Sequence, residues 1–159
     1  MKKSDFLNKL RMEKKLQLVE SSDELCRAYS LKAADSLTIA KLVFRNKFYE
    51  SCIINSYYGM YNISLSLLFK CGIKSENHTA TIMLIEQLFK IDASVLRQAK
   101  QDRIDAQYYL PEKNGNDIDE DIAEQSIKDA ENFIYTIKIV IEKISGREIQ
   151  DARNIFNSI

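Results

Sequence analysis

Helix-breaking residues are scarce in this chain. One proline and four glycines are spread over 159 residues, so few positions favour a tight turn. Between them, apolar residues recur at steps of three and four, the repeat of an α-helix with one buried face. Long helices joined by short connections must run antiparallel to their neighbours. The predicted fold is therefore all-α, an antiparallel up-and-down helical bundle of about four to five main helices.

The apolar repeat and its interruptions predict where each helix begins and ends. The approximate bounds are 4–18, 22–44, 48–71, 77–90, 92–103, 117–145 and 147–157. The helix over 48–71 stops at Gly72, a residue type common just after a helix end. Asn77 or Ser75 is the expected cap of the next one. A loop over 108–116 holds Pro111, and the segment over 147–157 is predicted to be a frayed terminal helix.

Composition indicates one domain of ordinary size. With 45% hydrophobic residues, we expect a single domain over 1–159, with its core at about 22–145 and flanking helices at 1–20 and 146–159. Cys26, Cys52 and Cys71 fit neither a metal spacing nor a redox pair, which predicts reduced core thiols in a cytoplasmic protein. The chain has a single histidine, which is too few ligands for a zinc site, so no metal or cofactor is expected. The sequence shows no signal peptide and no membrane-spanning run, so no membrane contact is expected.

A stripe of mostly small residues runs along the predicted helix over 48–71. It consists of Cys52, Ser56, Gly59, Ile63 and Ser66. Small residues let another helix approach closely, either inside the bundle or across a dimer, and tight internal packing is the interpretation that helix geometry favours.

Candidate chemistry gathers around His78, the only histidine. At the start of a helix its pKa is expected to fall, which favours a neutral ring that accepts a proton, although a lone histidine near a cap is more often structural. Tyr57, Tyr58 and Tyr61 offer stacking faces and phenolic donors, although tyrosines at helical spacing are more often part of the core. Arg103 carries a donor fork that matches phosphate oxygens.

The order of these residues resembles the HEPN family (higher eukaryotes and prokaryotes nucleotide-binding), small all-helical proteins often found with nucleotidyltransferases and sometimes acting as ribonucleases. The matching positions are Tyr49-Glu50, Ser56-Tyr57-Tyr58, Met60, Leu67-Leu68, Gly72, His78, Arg103, Ala106, Tyr108 and Ala130-x-x-Phe133. The similarity spans about residues 25–145. Asn62 stands where the family phrase usually has a histidine, and Gln107 replaces an aspartate.

The resemblance implies a nucleotide- or RNA-binding module. It also implies a homodimer, packed through the second and third long helices, and a nucleotidyltransferase partner in a two-component system of toxin–antitoxin type. Ligand-binding residues implied by the resemblance are Tyr57, Tyr58, Asn62 and Tyr108.

Two other functions stay open. One is a metal-independent endoribonuclease in which His78 transfers a proton and Lys74 or Arg103 stabilises charge on the phosphate. Family ribonucleases carry an arginine a few residues before this histidine, and here Lys74 stands upstream instead. The other is a purely structural or assembly module whose tyrosines belong to the core.

Overall fold

The computed structural model describes residues 3–108 and 118–159. Its elements in chain order are α1 (Lys3–Met12), β1 (Leu16–Leu18), α2 (Asp23–Arg45), α3 (Tyr49–Lys70), β2 (Ile73–Ser75), α4 (His78–Phe89), α5 (Ser94–Tyr108), α6 (Glu120–Lys143) and α7 (Gly146–Ser158). The long helices pack as a bundle, which confirms the predicted all-α class. Most of the loop predicted around Pro111 lies outside the described residues.

α3 is the central helix of the bundle. It packs against α2, α5 and α6, and 14 of its 22 residues are buried, so little of its surface is left for a partner. α4 also buries much of its length, through residues such as Ile82, Leu84 and Ile85. The second and third long helices are therefore mostly occupied within one chain.

The small-residue stripe of α3 is filled from inside the same chain. A Cβ on Gly59 would lie 3.3 Å from Ile134 Cδ1 of α6 and 3.5 Å from the carbonyl oxygen of Ala33 in α2. Further along, the Ser66 hydroxyl donates to the carbonyl oxygen of Cys26 at 2.7 Å. α2 and α6 therefore cover this stripe, in agreement with the favoured interpretation of tight packing inside the bundle. The homodimer stays a prediction.

A two-stranded antiparallel ribbon corrects the prediction of a helix over 4–18. β1 pairs with β2, placing Leu16 opposite Ser75 and Leu18 opposite Ile73. The first helix ends early because Lys14 adopts a left-handed conformation (φ 58°), after which the backbone is extended. Strands of three residues are too short for an alternating pattern to be recognised in the sequence.

The C-terminal helix packs against the rest of the chain, whereas the sequence predicted a frayed terminal helix. A capping box joins Ser145 and Glu148 at the start of α7, and Ala152 and Phe156 are buried. The guanidinium of Arg11 in α1 donates to the carbonyl oxygen of Phe156 at 3.1 Å. α7 therefore ties the N-terminal helix to the bundle.

The three cysteines are buried, free thiols. Burial raises the pKa of Cys71 to about 12 and also raises the pKa of Cys52, so neither is an activated nucleophile. Within residues 3–108 and 118–159, no helix is both long and apolar enough to cross a membrane. The same residues contain no group of three or more histidine, cysteine or acidic side chains arranged to hold a metal ion.

Candidate functional site

His78 is the first residue of α4, and the turn before it fixes its position. Asn77 is the N-cap, and its side-chain oxygen accepts from the backbone N–H of Ala80 at 2.9 Å. The hydroxyl of Thr81 donates to that of Ser75 at the end of β2, at 2.8 Å. The ribbon therefore holds the start of α4 in place.

The His78 ring lies against two tyrosines of α3. Its Nδ1 is hydrogen-bonded to the Tyr57 hydroxyl, and its ring stacks on that of Tyr61 with centroids 4.0 Å apart and planes 4° from parallel. Nε2 has no hydrogen-bond partner among the described residues. Tyr57 is completely buried, so it offers no stacking face to a ligand, contrary to the prediction. Its hydroxyl instead orients the half-exposed imidazole.

Arg103 approaches the same tyrosines from α5. Its Cζ lies 5.2 Å from the ring centroid of Tyr57 and 5.9 Å from that of Tyr58, within the range of a cation–π contact. Its Nη1 donates to Gln107 Oε1 at 2.9 Å and lies 3.4 Å from the Tyr58 hydroxyl. The buried Nε has no partner among the described residues. The guanidinium is thus positioned with part of its donor fork unused.

Lys100 is the functional candidate that the sequence interpretation missed. It stands three residues before Arg103 on α5, and its Nζ donates to the hydroxyl of Thr79 at 2.6 Å. Thr79 is the second residue of α4, so Lys100 lies at the N-terminal end of that helix. The i, i+3 spacing from Arg103 was the available signal. We call the following group the His78 cluster: Tyr57, Tyr58, Tyr61, His78, Lys100 and Arg103.

Burial and positive charge favour the neutral form of His78. Burial lowers the pKa of His78 most, and Arg103 and Lys100 lower it further. The direction is the predicted one, but burial, and not the helix N-terminus, is the largest cause. Burial and the nearby Arg103 lower the pKa of Lys100 as well. Burial raises the pKa of Tyr57, so its hydroxyl keeps its proton.

Three other predicted site residues lie apart from the His78 cluster. Lys74 forms an ion pair with Glu76 at 2.6 Å, and it is not among the cations that lower the pKa of His78. Asn62 has its Nδ2 3.5 Å from the hydroxyl of Ser36 in α2. Tyr108 is 74% exposed at the end of α5. The structure therefore joins His78, Tyr57, Tyr58 and Arg103 but not Lys74, Asn62 or Tyr108.

Comparison with known proteins identifies the family. A family model described as the HEPN domain matches residues 26–140. The chain belongs to the HEPN family. The matched residues of this HEPN protein include the whole His78 cluster and exclude β1 and α7.

Two relatives cover most of the HEPN chain. It is 30% identical over 118 residues to a UPF0332 protein of Archaeoglobus fulgidus, across 70% of this chain and 91% of that protein. It is 26% identical over 115 residues to a protein of Methanocaldococcus jannaschii named "Putative toxin MJ0605", across 70% of this chain and 85% of that protein.

Proposed function

We propose that this HEPN protein binds single-stranded RNA through the His78 cluster, with Arg103 as the central phosphate-binding residue. The arginine fork suits phosphate oxygens, and the half-buried Tyr58 ring beside it suits an RNA base. His78 adds a neutral ring with a free Nε2 that can donate to or accept from a ligand.

The observation that carries the proposal is the state of Arg103. It is partly buried against tyrosine rings, and within the described part of the chain it forms no ion pair. A partly desolvated cation without a counter-charge is costly, and an anion bound beside it offsets that cost. A phosphate group is such an anion, and it fits the fork in a bidentate manner.

The test is binding of a fluorescent single-stranded RNA of about 12 nucleotides, measured by anisotropy across a salt series. Arg103→Ala is expected to weaken binding about tenfold, the effect of losing one charge-assisted contact. It should also reduce the slope of log K against log salt by about 0.7, the value for one phosphate contact on a single strand.

Arg97→Ala is the matched control. Arg97 lies on the same helix, is exposed, and pairs with Glu86 at 2.5 Å, so its removal changes net charge equally without touching the His78 cluster. Equal losses for the two variants would contradict the proposal, because they would indicate only a general charge effect. Absence of RNA binding by the folded wild type would contradict it outright.

A metal-independent endoribonuclease is the second candidate, supported by the proximity of a neutral histidine to two cations. In that reaction His78 accepts the proton of a 2′-hydroxyl as its oxygen attacks the adjacent phosphorus. The P–O5′ bond breaks, which leaves a 2′,3′-cyclic phosphate and a 5′-oxygen that takes a proton from solvent water. Arg103 and Lys100 would stabilise the charge that develops on the phosphorus-bound oxygens. The Tyr57 hydroxyl both donates and accepts, so it holds the ring in either tautomer.

Cleavage of a mixed RNA pool in EDTA separates the two candidates. If the protein is a ribonuclease, wild-type protein cleaves, His78→Ala binds RNA without cleaving, and Arg103→Ala is impaired in both binding and cleavage. A folded wild type that binds but leaves the RNA intact supports the binding function and excludes the ribonuclease under these conditions.

We propose further that the protein is one half of a toxin–antitoxin-type pair, with a nucleotidyltransferase as the other half. The name of the M. jannaschii relative supports the toxin assignment. Induced expression in a bacterial host tests it: wild-type protein should arrest growth, and Arg103→Ala should relieve the arrest at equal protein level. Growth unaffected by the wild type would contradict it.

A further inference from the structure

Two positive side chains stand together on one face of α5. Lys100 and Arg103 are three residues apart, so their like charges repel each other. Burial and the nearby Arg103 lower the pKa of Lys100. In residues 3–108 and 118–159 neither forms an ion pair. Glu76, in the turn before α4, is taken by Lys74. The positive charge of the pair is therefore not neutralised by the surrounding described side chains.

The N-terminus of α4 adds to the same positive region. Asn77 caps the backbone N–H of Ala80, but the N–H groups of His78 and Thr79 have no partner in the described chain. The first turn of α4 contains no acidic residue. Helix N-termini attract anions through these free N–H groups and the helix dipole. Lys100 bonds to Thr79, so its ammonium and the helix end lie side by side.

Arg103 adds a buried hydrogen-bond donor to this region. The Nε of Arg103 is buried and donates to nothing among the described residues. Buried donors are nearly always satisfied in folded proteins, so this N–H is a donor that a bound ligand could satisfy.

We infer that the His78 cluster recognises a phosphate monoester, the terminal phosphate of an RNA end or of a nucleotide, in preference to the phosphodiester of an internal linkage. This inference rests on the proposed RNA-binding function and names its ligand. A phosphodiester carries one negative charge, whereas a phosphate monoester carries about 1.5 to 2 at neutral pH. Lys100, Arg103 and the start of α4 together balance the larger charge, and a single arginine would suffice for the smaller one.

The experiment compares RNAs of one sequence and about eight nucleotides that differ only at their ends. Four RNAs are compared. One has hydroxyl groups at both ends, one has a 5′-phosphate, one has a 3′-phosphate, and one carries the preferred phosphate as its methyl ester. AMP serves as the mononucleotide arm. Binding is measured by calorimetry in EDTA. One phosphate-ended RNA is expected to bind about tenfold tighter than the hydroxyl-ended RNA, and methylation should remove the gain because it removes one charge.

Two Lys100 variants test whether Lys100 recognises the second negative charge of the phosphate monoester. Lys100→Met should abolish the preference for the phosphate end, so that the variant binds phosphate-ended and hydroxyl-ended RNA with equal affinity. Lys100→Gln, which keeps a donor to Thr79, should do the same. Arg97→Ala should retain the preference. A preference unchanged by both Lys100 variants would overturn the assignment.

The outcomes distinguish this inference from the function on which it rests. Equal affinity for all RNA ends overturns the inference but leaves RNA binding intact. Binding of AMP without binding of any RNA supports the phosphate monoester and contradicts the RNA-binding function. No binding of AMP or of any RNA overturns both.

Discussion

Gly72→Ala is expected to destabilise the protein strongly, because Gly72 occupies a crowded left-handed turn between α3 and β2. Its φ is +68°, and a Cβ there would lie 2.1 Å from Arg153 Nη1 and 2.5 Å from the carbonyl oxygen of Val19. Contacts this short cannot persist, so either the turn or the arginine must move. The turn leads into β2 and from there to His78, so the change also threatens the candidate site.

The magnitude follows from two contributions. A side chain in the left-handed region costs about 1–2 kcal/mol. Arg153 Nη1 donates to the carbonyl oxygens of Val19, Cys71 and Gly72 at 2.9, 3.0 and 3.0 Å, and displacing it forfeits hydrogen bonds to a charged group worth about 1.5–3 kcal/mol. The expected loss is about 2.5–5 kcal/mol, a large part of the roughly 5–15 kcal/mol that stabilises a domain.

Urea unfolding followed by circular dichroism measures this loss. The midpoint of Gly72→Ala should fall by about 1–2 M. Gly146→Ala is the matched control, because a Cβ on Gly146 meets nothing within 4 Å and its φ is not positive. This control should be neutral or stabilising by up to about 1 kcal/mol, through reduced entropy of the unfolded chain.

A double-mutant cycle identifies the cause. In an Arg153→Ala background the clash with the guanidinium is absent, so Gly72→Ala should cost less there than in the wild type. Additivity of the two substitutions within about 0.5 kcal/mol would refute the reasoning, as would a Gly72→Ala variant as stable as Gly146→Ala.

Three further outcomes are expected. The pKa of His78 lies below its unfolded value near 6.5, so the unfolding free energy should decrease as pH falls below about 6.5 and level off below the folded pKa. His78→Gln should lose this dependence, and NMR titration of the single histidine should give the pKa directly. Lys100→Met should keep or raise the melting temperature, because it relieves repulsion with Arg103, and it should weaken the binding of phosphate-ended RNA. Asn77→Ala should lower stability by about 1 kcal/mol in thermal unfolding, through loss of the α4 cap, whereas Asn77→Asp should not.

The long helices could be predicted because their apolar repeat extends over many turns. On α6 apolar residues at steps of three and four are buried, namely Ala123, Ile127, Ala130, Ile134 and Ile137. The two-stranded ribbon could not be predicted, because β1 and β2 are held by pairing across more than fifty residues of sequence and not by local preference. A left-handed lysine at position 14, which ends α1, also has no signature in the sequence.

The site was less predictable than the fold because it depends on how helices cross. His78 stood out as the only histidine, and Arg103 as a fork beside the tyrosines. Lys74 is closer to His78 in sequence than Lys100, yet it lies on β2 and pairs with Glu76. Lys100 reaches the start of α4 only because α5 packs across it, a relation that no periodicity encodes.

The tyrosines and the cations of the His78 cluster are held in place by contacts of different strength. Tyr57 and Tyr61 belong to the buried central helix and form a fixed wall behind His78. The cations are carried by α5, in which Leu96 is the buried residue of the described helix. Their contacts to the rest of the cluster are single hydrogen bonds and cation–π contacts, each of modest strength. An anion between α4 and α5 would therefore have two effects. It would accept hydrogen bonds from Lys100 and Arg103, and it would join α5 more firmly to the rest of the bundle. We therefore expect anion binding to strengthen the attachment of α5 and to offset the repulsion between Lys100 and Arg103.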